Sequence, residues 1–118
     1  GEDLPPAQAA ELLPGRGEFA DLWRYLRRQT AAGSAMETEA DQLSRSVARA
    51  CGRREAYGRT LVCLEVMDEL GLIRQERRAG RLTIALNAVE GKVDLEQSRL
   101  MRRLRSLSGT AAGGGEER

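Results

Sequence analysis

The stretch LVCLEVMDELGLIRQERRAGRLTIAL, residues 61–86, decides the fold. Leu61, Val62, Leu64, Val66, Met67 and Leu70 cover more than half the circumference of a helix. A helix so apolar must be buried on several sides. The spacing predicts it over about Arg54–Leu70, with Gly71 as its stop. The period then changes. Leu72-Ile73-Arg74-Gln75-Glu76 and Arg81-Leu82-Thr83-Ile84-Ala85-Leu86 read as the two arms of a β-hairpin over 72–86. Leu82, Ile84 and Leu86 alternate with period two, the mark of a half-buried strand. Arg78-Ala79-Gly80 supplies the turn, with Gly80 free to take a positive φ.

Two helices precede this stretch. Phe19, Leu22, Trp23 and Leu26 form one apolar stripe, and a helix is predicted over Glu18–Ala31, with Asp21, Arg24 and Arg28 on its other side. Gly33 breaks it. Ser34 followed by Glu37 is a capping-box signature, so the second helix is expected to start there. Its apolar arc is Met36, Ala40, Leu43, Val47, Ala50 and Cys51, and Gly52 stops it. After the hairpin, Asp94 with Gln97 is read as the cap of a last helix. Val93, Leu100, Leu104 and Leu107 form its stripe, with Met101 at the margin. Three helices, a hairpin and a C-terminal helix make an α+β, mainly helical, winged-helix-like fold.

The ends read differently. Residues 1–15 hold all three prolines and are expected to be a linker. Residues 109–118, GTAAGGGEER, are expected to be a disordered tail. The folded part is then about 16–108, one domain. The start at Gly1 rather than Met reads as the mark of an excised segment.

Composition removes several functions. Hydrophobic residues are 41% and charged residues 31% of the 118, enough for a packed core. Aromatics are only 3%, so Leu, Ala and Val must build that core. Nineteen basic and 18 acidic residues leave a net charge of +1, so any electrostatic role has to come from segregated charge. Histidine is absent, which excludes Ser-His-Asp and Cys-His catalysis and any metal site built on imidazole. Two cysteines, Cys51 and Cys63, cannot make a zinc site of four thiolates; a single disulfide is the alternative to the favoured reading, two small buried hydrophobes in a reducing cytoplasm. No apolar run reaches the ~20 residues of a membrane span. No signal-peptide pattern opens the chain, and a cytoplasmic location is expected. Only Lys92 among the basic residues is lysine. Arginine favours bidentate contacts with phosphate and carboxylate, although base composition of the gene accounts for the same bias.

Three blocks carry a resemblance: PGRGEFADLWRYLRR at 14–28, LVCLEVMDELGLI at 61–73 and GKVDLEQSRLMRRLR at 91–105. Together, in this order, they resemble the C-terminal extension of the bacterial single-stranded-DNA-specific exonuclease RecJ. The resemblance implies a parent enzyme that degrades single strands from the 5′ end. Its separate catalytic core, of the DHH phosphoesterase type, would use Mn or Mg. None of those catalytic motifs stands in this sequence, so no catalytic residue is carried over. The expectation is a non-catalytic accessory module with no cofactor of its own, acting in DNA repair or recombination. Its expected partners are the rest of the exonuclease, single-stranded DNA, or the acidic tail of a single-stranded-DNA-binding protein. The alternative is a winged-helix regulator or adaptor of another family.

Two arginine groups are the candidate binding residues. Arg74, Arg77, Arg78 and Arg81 crowd into eight residues of the wing, with only Glu76 opposing them locally. A basic wing can lie along a phosphate backbone without reading bases, and it can also be a solvated hairpin tip. Arg99, Arg102 and Arg103 form a ridge on the last helix. The third helix presents Glu65, Asp68 and Glu69 on its polar arc, which disfavours entry into a major groove. Phe19 and Trp23 belong to the core stripe, leaving Tyr25 and Tyr57 as the aromatics open to exposure. That is too little for a stacking platform.

Overall fold

A computed structural model describes residues 5–30, 34–88 and 93–108. The chain is α+β and mostly helical, with five α-helices and a three-stranded antiparallel sheet among the described residues. In order these are α1 (Pro6–Leu12), α2 (Arg16–Gln29), β1 (Ala35–Glu39), α3 (Ala40–Cys51), α4 (Tyr57–Glu69), β2 (Ile73–Arg78), β3 (Arg81–Leu86) and α5 (Arg99–Ser108). A single 3-10 turn, Leu95–Gln97, precedes α5. The core is one cluster in which Leu26, Leu43, Leu64, Met67, Ile73, Leu82 and Ile84 are almost fully buried. It joins α2, α3, α4 and one face of the sheet.

The central reading holds. α4 buries Cys63, Leu64, Val66 and Met67, and Gly71 ends it at φ 80°. Asn87 ties β3 back to that turn, donating its backbone N–H to Leu72 O at 3.0 Å and its side-chain amide to Gly71 O at 2.9 Å. The hairpin register sets Arg78 opposite Arg81, with Ala79 at φ 53° and Gly80 at φ 84° between them. Two central residues with positive φ define a type I′ turn, which suits Asn-Gly best. Ala79 is therefore strained. Ala79→Asn should stabilise the fold by about 1 kcal/mol, seen as a raised denaturation midpoint at constant m-value. An unchanged midpoint would mean that this backbone costs nothing.

The second helix departs from expectation. Residues 35–39 form β1, which pairs antiparallel with β3 in the register Met36 to Ile84 and Thr38 to Leu82. The Ser34–Glu37 capping box does not form, and α3 begins only at Ala40. The reason is nonlocal. A two-stranded hairpin is marginal alone, and the open edge of β3 needs hydrogen-bond partners. Met36 and Thr38 also supply half-buried side chains on the core face. Gly52 stops α3 as expected, at φ 67°.

The expected linker also contains structure. Pro5 and Pro6 sit at the start of α1, where proline fits because its missing N–H would have no partner. Ala9 is completely buried. Helix α1 packs against α5 and α4. At Gly58 an added Cβ would meet Leu12 Cδ2 at 2.6 Å, so the glycine lets α1 lie close on α4. Residues 1–4, the expected helix end at Ala31 with its break at Gly33, Lys92 and the tail 109–118 lie outside the described residues. Helix α2 starts earlier than expected, at Arg16. Helix α4 starts later, at Tyr57.

Helix α5 is capped differently from the prediction. Asp94 caps only the 3-10 turn, accepting from the Glu96 N–H at 3.0 Å. Ser98, fully buried, sits before α5 and accepts from the Met101 N–H at 3.1 Å. Met101 and Leu104 form the buried centre of the stripe, while Leu100 and Leu107 are only half-buried. Met101 was expected at the margin. The shift follows from α1, which covers α5 from a side invisible to the helix's own periodicity.

Candidate nucleic-acid interface

The pleat of the hairpin divides the wing arginines between two faces. Ile73, Gln75 and Arg77 share the face that carries Leu82 and Ile84. Arg74 and Arg78 share the opposite face with Arg81, Thr83 and Ala85. All four wing arginines are exposed. The tertiary structure supplies acids that local sequence does not show. Strand β1 places Glu39 directly opposite Arg81, and Glu37 approaches Arg81 to 3.6 Å. From α4, Glu65 lies 3.9 Å from Arg77 and accepts a 2.9 Å hydrogen bond from Gln75. Glu76 stands between Arg74 and Arg78 on the outer face. The expectation that only Glu76 opposes this group is corrected: four acids surround four arginines. Arg74 and Arg78 make no ion pair among the described residues. The like-charged cross-strand pair Arg78–Arg81 remains at the tip, with Glu37 and Glu39 offsetting the charge of Arg81 alone.

The acidic arc of α4 is partly spent inside the molecule. Glu69 accepts from Ser98 Oγ at 2.7 Å, from the Arg99 backbone N–H at 2.6 Å and from the Leu100 N–H at 3.3 Å. Its carboxylate thus closes the open N-terminus of α5, where negative charge is favoured. The Arg99 backbone N–H, then Ser98, hold its pKa below the usual carboxylate value. Glu65 anchors β2, and half-buried Asp68 lies between the two. These acids fasten the wing on one side and α5 on the other.

The α5 ridge is less uniform than its sequence. The Arg99 side chain is 87% exposed and stands 3.7 Å from Glu69. Arg102 and Arg103 are exposed. Arg105 pairs with Glu96 at 2.5 Å and lies half-buried. Tyr57, at 50%, is the exposed large hydrophobic residue, while Tyr25 is half-buried against the core with Trp23.

The described residues contain no group of three or more His, Cys, Asp or Glu able to hold a metal ion. Both cysteines are free, and burial pushes the Cys63 thiol far above its ordinary value, against nucleophilic use. No described helix is long and apolar enough to cross a membrane.

Sequence reasoning missed the charge network that ties α2 to α4 and to the connection between α3 and α4. Asp21 accepts from Arg53 Nε at 2.5 Å and from Arg24 at 2.5 Å. Glu18 accepts from Arg59 Nε at 2.8 Å and from the Gly15 N–H at 3.0 Å. The Arg53 hydrogen bond is the main cause that lowers the Asp21 pKa. The acids Glu18 and Asp21 were visible three residues apart on one helix, but their partners are 41 and 32 residues away. Comparison with protein-family models, curated proteins and solved structures finds no match for this chain.

Proposed function

We propose that the chain is a non-catalytic, winged-helix-type accessory module of a RecJ-type single-strand exonuclease, working in cytoplasmic DNA repair or recombination and holding DNA by its phosphates. The observation that carries the binding reading is the hairpin tip, where Arg78 and Arg81 stand directly opposite each other and exposed. Arg81 stands beside Glu37 while Arg78 has no ion pair among the described residues, so a phosphate at the tip pairs the open Arg78 and accepts from both guanidinium groups. The fold part rests on element order: α2, β1, α3, α4, β2 and β3, with β3 between β1 and β2, follow the winged-helix layout. The parent enzyme rests on the sequence resemblance alone. The shortage of exposed large apolar side chains among the described residues favours a polar, charge-driven partner such as a nucleic acid over a protein interface with an apolar core.

The test is a titration of the isolated chain with a fluorescent single-stranded oligonucleotide at several salt concentrations. Replacing Arg78 and Arg81 together by Ala should weaken binding and reduce the slope of log affinity against log salt by about 1.4, or 0.7 for each phosphate contact. Stability should change little, because an exposed pair such as Arg81–Glu37 contributes about 0–1 kcal/mol. An unchanged slope removes the wing. A parallel titration with an acidic tail peptide of a single-stranded-DNA-binding protein reports the other partner class, and tighter binding of the peptide would replace DNA holding by partner recruitment. Purified chain should not degrade single strands with Mn or Mg present. Reproducible 5′ degradation would overturn the non-catalytic assignment.

A further inference from the structure

Helix α2 turns both of its acids away from solvent and its arginines outward. Glu18 is held by Arg59 and the Gly15 N–H, and the Asp21 side chain is only 16% exposed beneath Arg24 and Arg53. What remains on the open side is Arg16, Arg24, Arg27 and Arg28, interleaved with Gly17 and Ala20, all exposed. At 100° per residue these positions fall within an arc of about 120°, and Arg16 to Arg28 spans about 18 Å along the axis. Arg53 adds a fifth guanidinium to the same face: its Nη2 lies 3.0 Å from where a Cβ on Gly17 would stand. Arg16, Arg27 and Arg28 make no ion pair among the described residues. Five arginines stand here against the covered Asp21, with Asp94 and Glu96 lining the cleft beside Arg16.

The geometry points to this face as a track for the phosphate backbone of single-stranded DNA. The inference rests on the DNA-binding reading above and extends it to a surface that lies outside both the wing and α5. Ala20, between the arginines, lets a backbone approach closely, while Gly17 makes room for the Arg53 guanidinium. The face carries no exposed large apolar side chain, so it lacks the anchor a protein partner would need. A flexible single strand can place successive phosphates against these guanidinium groups, whereas a duplex, with a persistence length of about 50 nm, offers them only at the fixed spacing of its two strands. No aromatic side chain of α2 is fully exposed as a stacking platform, so the contacts drawn here are to phosphate.

The experiment compares variants of the whole chain with a single-stranded oligonucleotide and a duplex of equal length. Arg16, Arg27 and Arg28 replaced together by Ala should reduce the salt slope for the single strand by about 2, at 0.7 per contact. The corresponding triple Lys variant should keep the slope near wild type. Circular dichroism checks that α2 is retained, and the single substitution Arg27→Glu, with a weaker demand on folding, should lower affinity in the same direction. If the Ala triple leaves single-strand affinity and slope unchanged while the Arg78/Arg81 double variant reduces them, this inference falls and the DNA-holding reading stands. If the Ala triple affects the duplex alone, the single-strand track is wrong. If wild-type chain binds neither, both fall together.

Discussion

Leu64→Ala is expected to lower the unfolding free energy by about 3–5 kcal/mol, the upper part of the range for deleting a buried leucine side chain. Leu64 is 0% exposed and lies in α4, which packs against α1, α2, α3, α5 and β2. A cavity at a boundary facing solvent can collapse or fill with water. One enclosed by several elements cannot collapse without moving all of them, so most of the lost packing stays lost. For a domain of this size the loss corresponds to a fall in melting temperature of at least about 12 °C. Domains of this kind have only about 5–15 kcal/mol in hand, so the variant should approach the edge of folding at physiological temperature. Thermal denaturation followed by circular dichroism measures it. A fall of only a few degrees would show that α4 is not the centre of the core. Leu64→Met, which conserves volume, should cost less than about 1.5 kcal/mol and separates packing loss from general intolerance.

Glu69→Ala is expected to cost about 2–4 kcal/mol. The sum has two parts. Loss of a helix cap costs about 1 kcal/mol, and a buried hydroxyl donor left without its acceptor costs about 1–3 kcal/mol. Both apply here, because Glu69 closes the start of α5 and is the acceptor for Ser98, which is 0% exposed. Hydrogen exchange should show α5 opening before α4. Equal protection of the two helices would mean that the cap does not hold α5. The same contacts set a pH dependence. The folded-state pKa of Glu69 lies below its unfolded value, so the carboxylate adds stability that is fully present above about pH 4.3 and is lost as pH falls through the lowered folded value. Asp21, lowered chiefly by Arg53, acts in the same sense. Stability should therefore fall on acidification below about pH 4.3, and Glu69→Gln should make that fall shallower. An identical acid limb in Glu69→Gln would assign the acid sensitivity to other groups.

Much of the architecture was legible in local sequence because its causes are local. The helix through Leu61–Leu70, the stop at Gly71, the alternation Leu82-Ile84-Leu86 and the turn at Gly80 each follow from side chains within one or two turns of chain. Charge was legible only in part. The crowding of Arg74, Arg77, Arg78 and Arg81 was plain, but its neutralisation was not, since Glu37, Glu39 and Glu65 reach the wing through pairings with distant segments. The α2 face shows the reverse. Its arginines were scattered among acids in the sequence, and only the inward commitment of Glu18 and Asp21 makes the face basic.

By itself the sequence determined an α+β chain with a leucine-rich core, a long buried helix running into a β-hairpin, and no histidine with which to build a catalytic site. Periodicity, glycine positions and residue chemistry suffice for those statements. The tertiary structure decided that 35–39 is a strand, that 6–12 is a helix laid on α5, and that Glu69 rather than Asp94 closes the last helix. In each case a weak local preference gave way to a contact made across the fold. The edge of β3 needed a partner, the side of α5 needed cover, and the buried Ser98 hydroxyl needed an acceptor, and in each case a segment distant in sequence met the need.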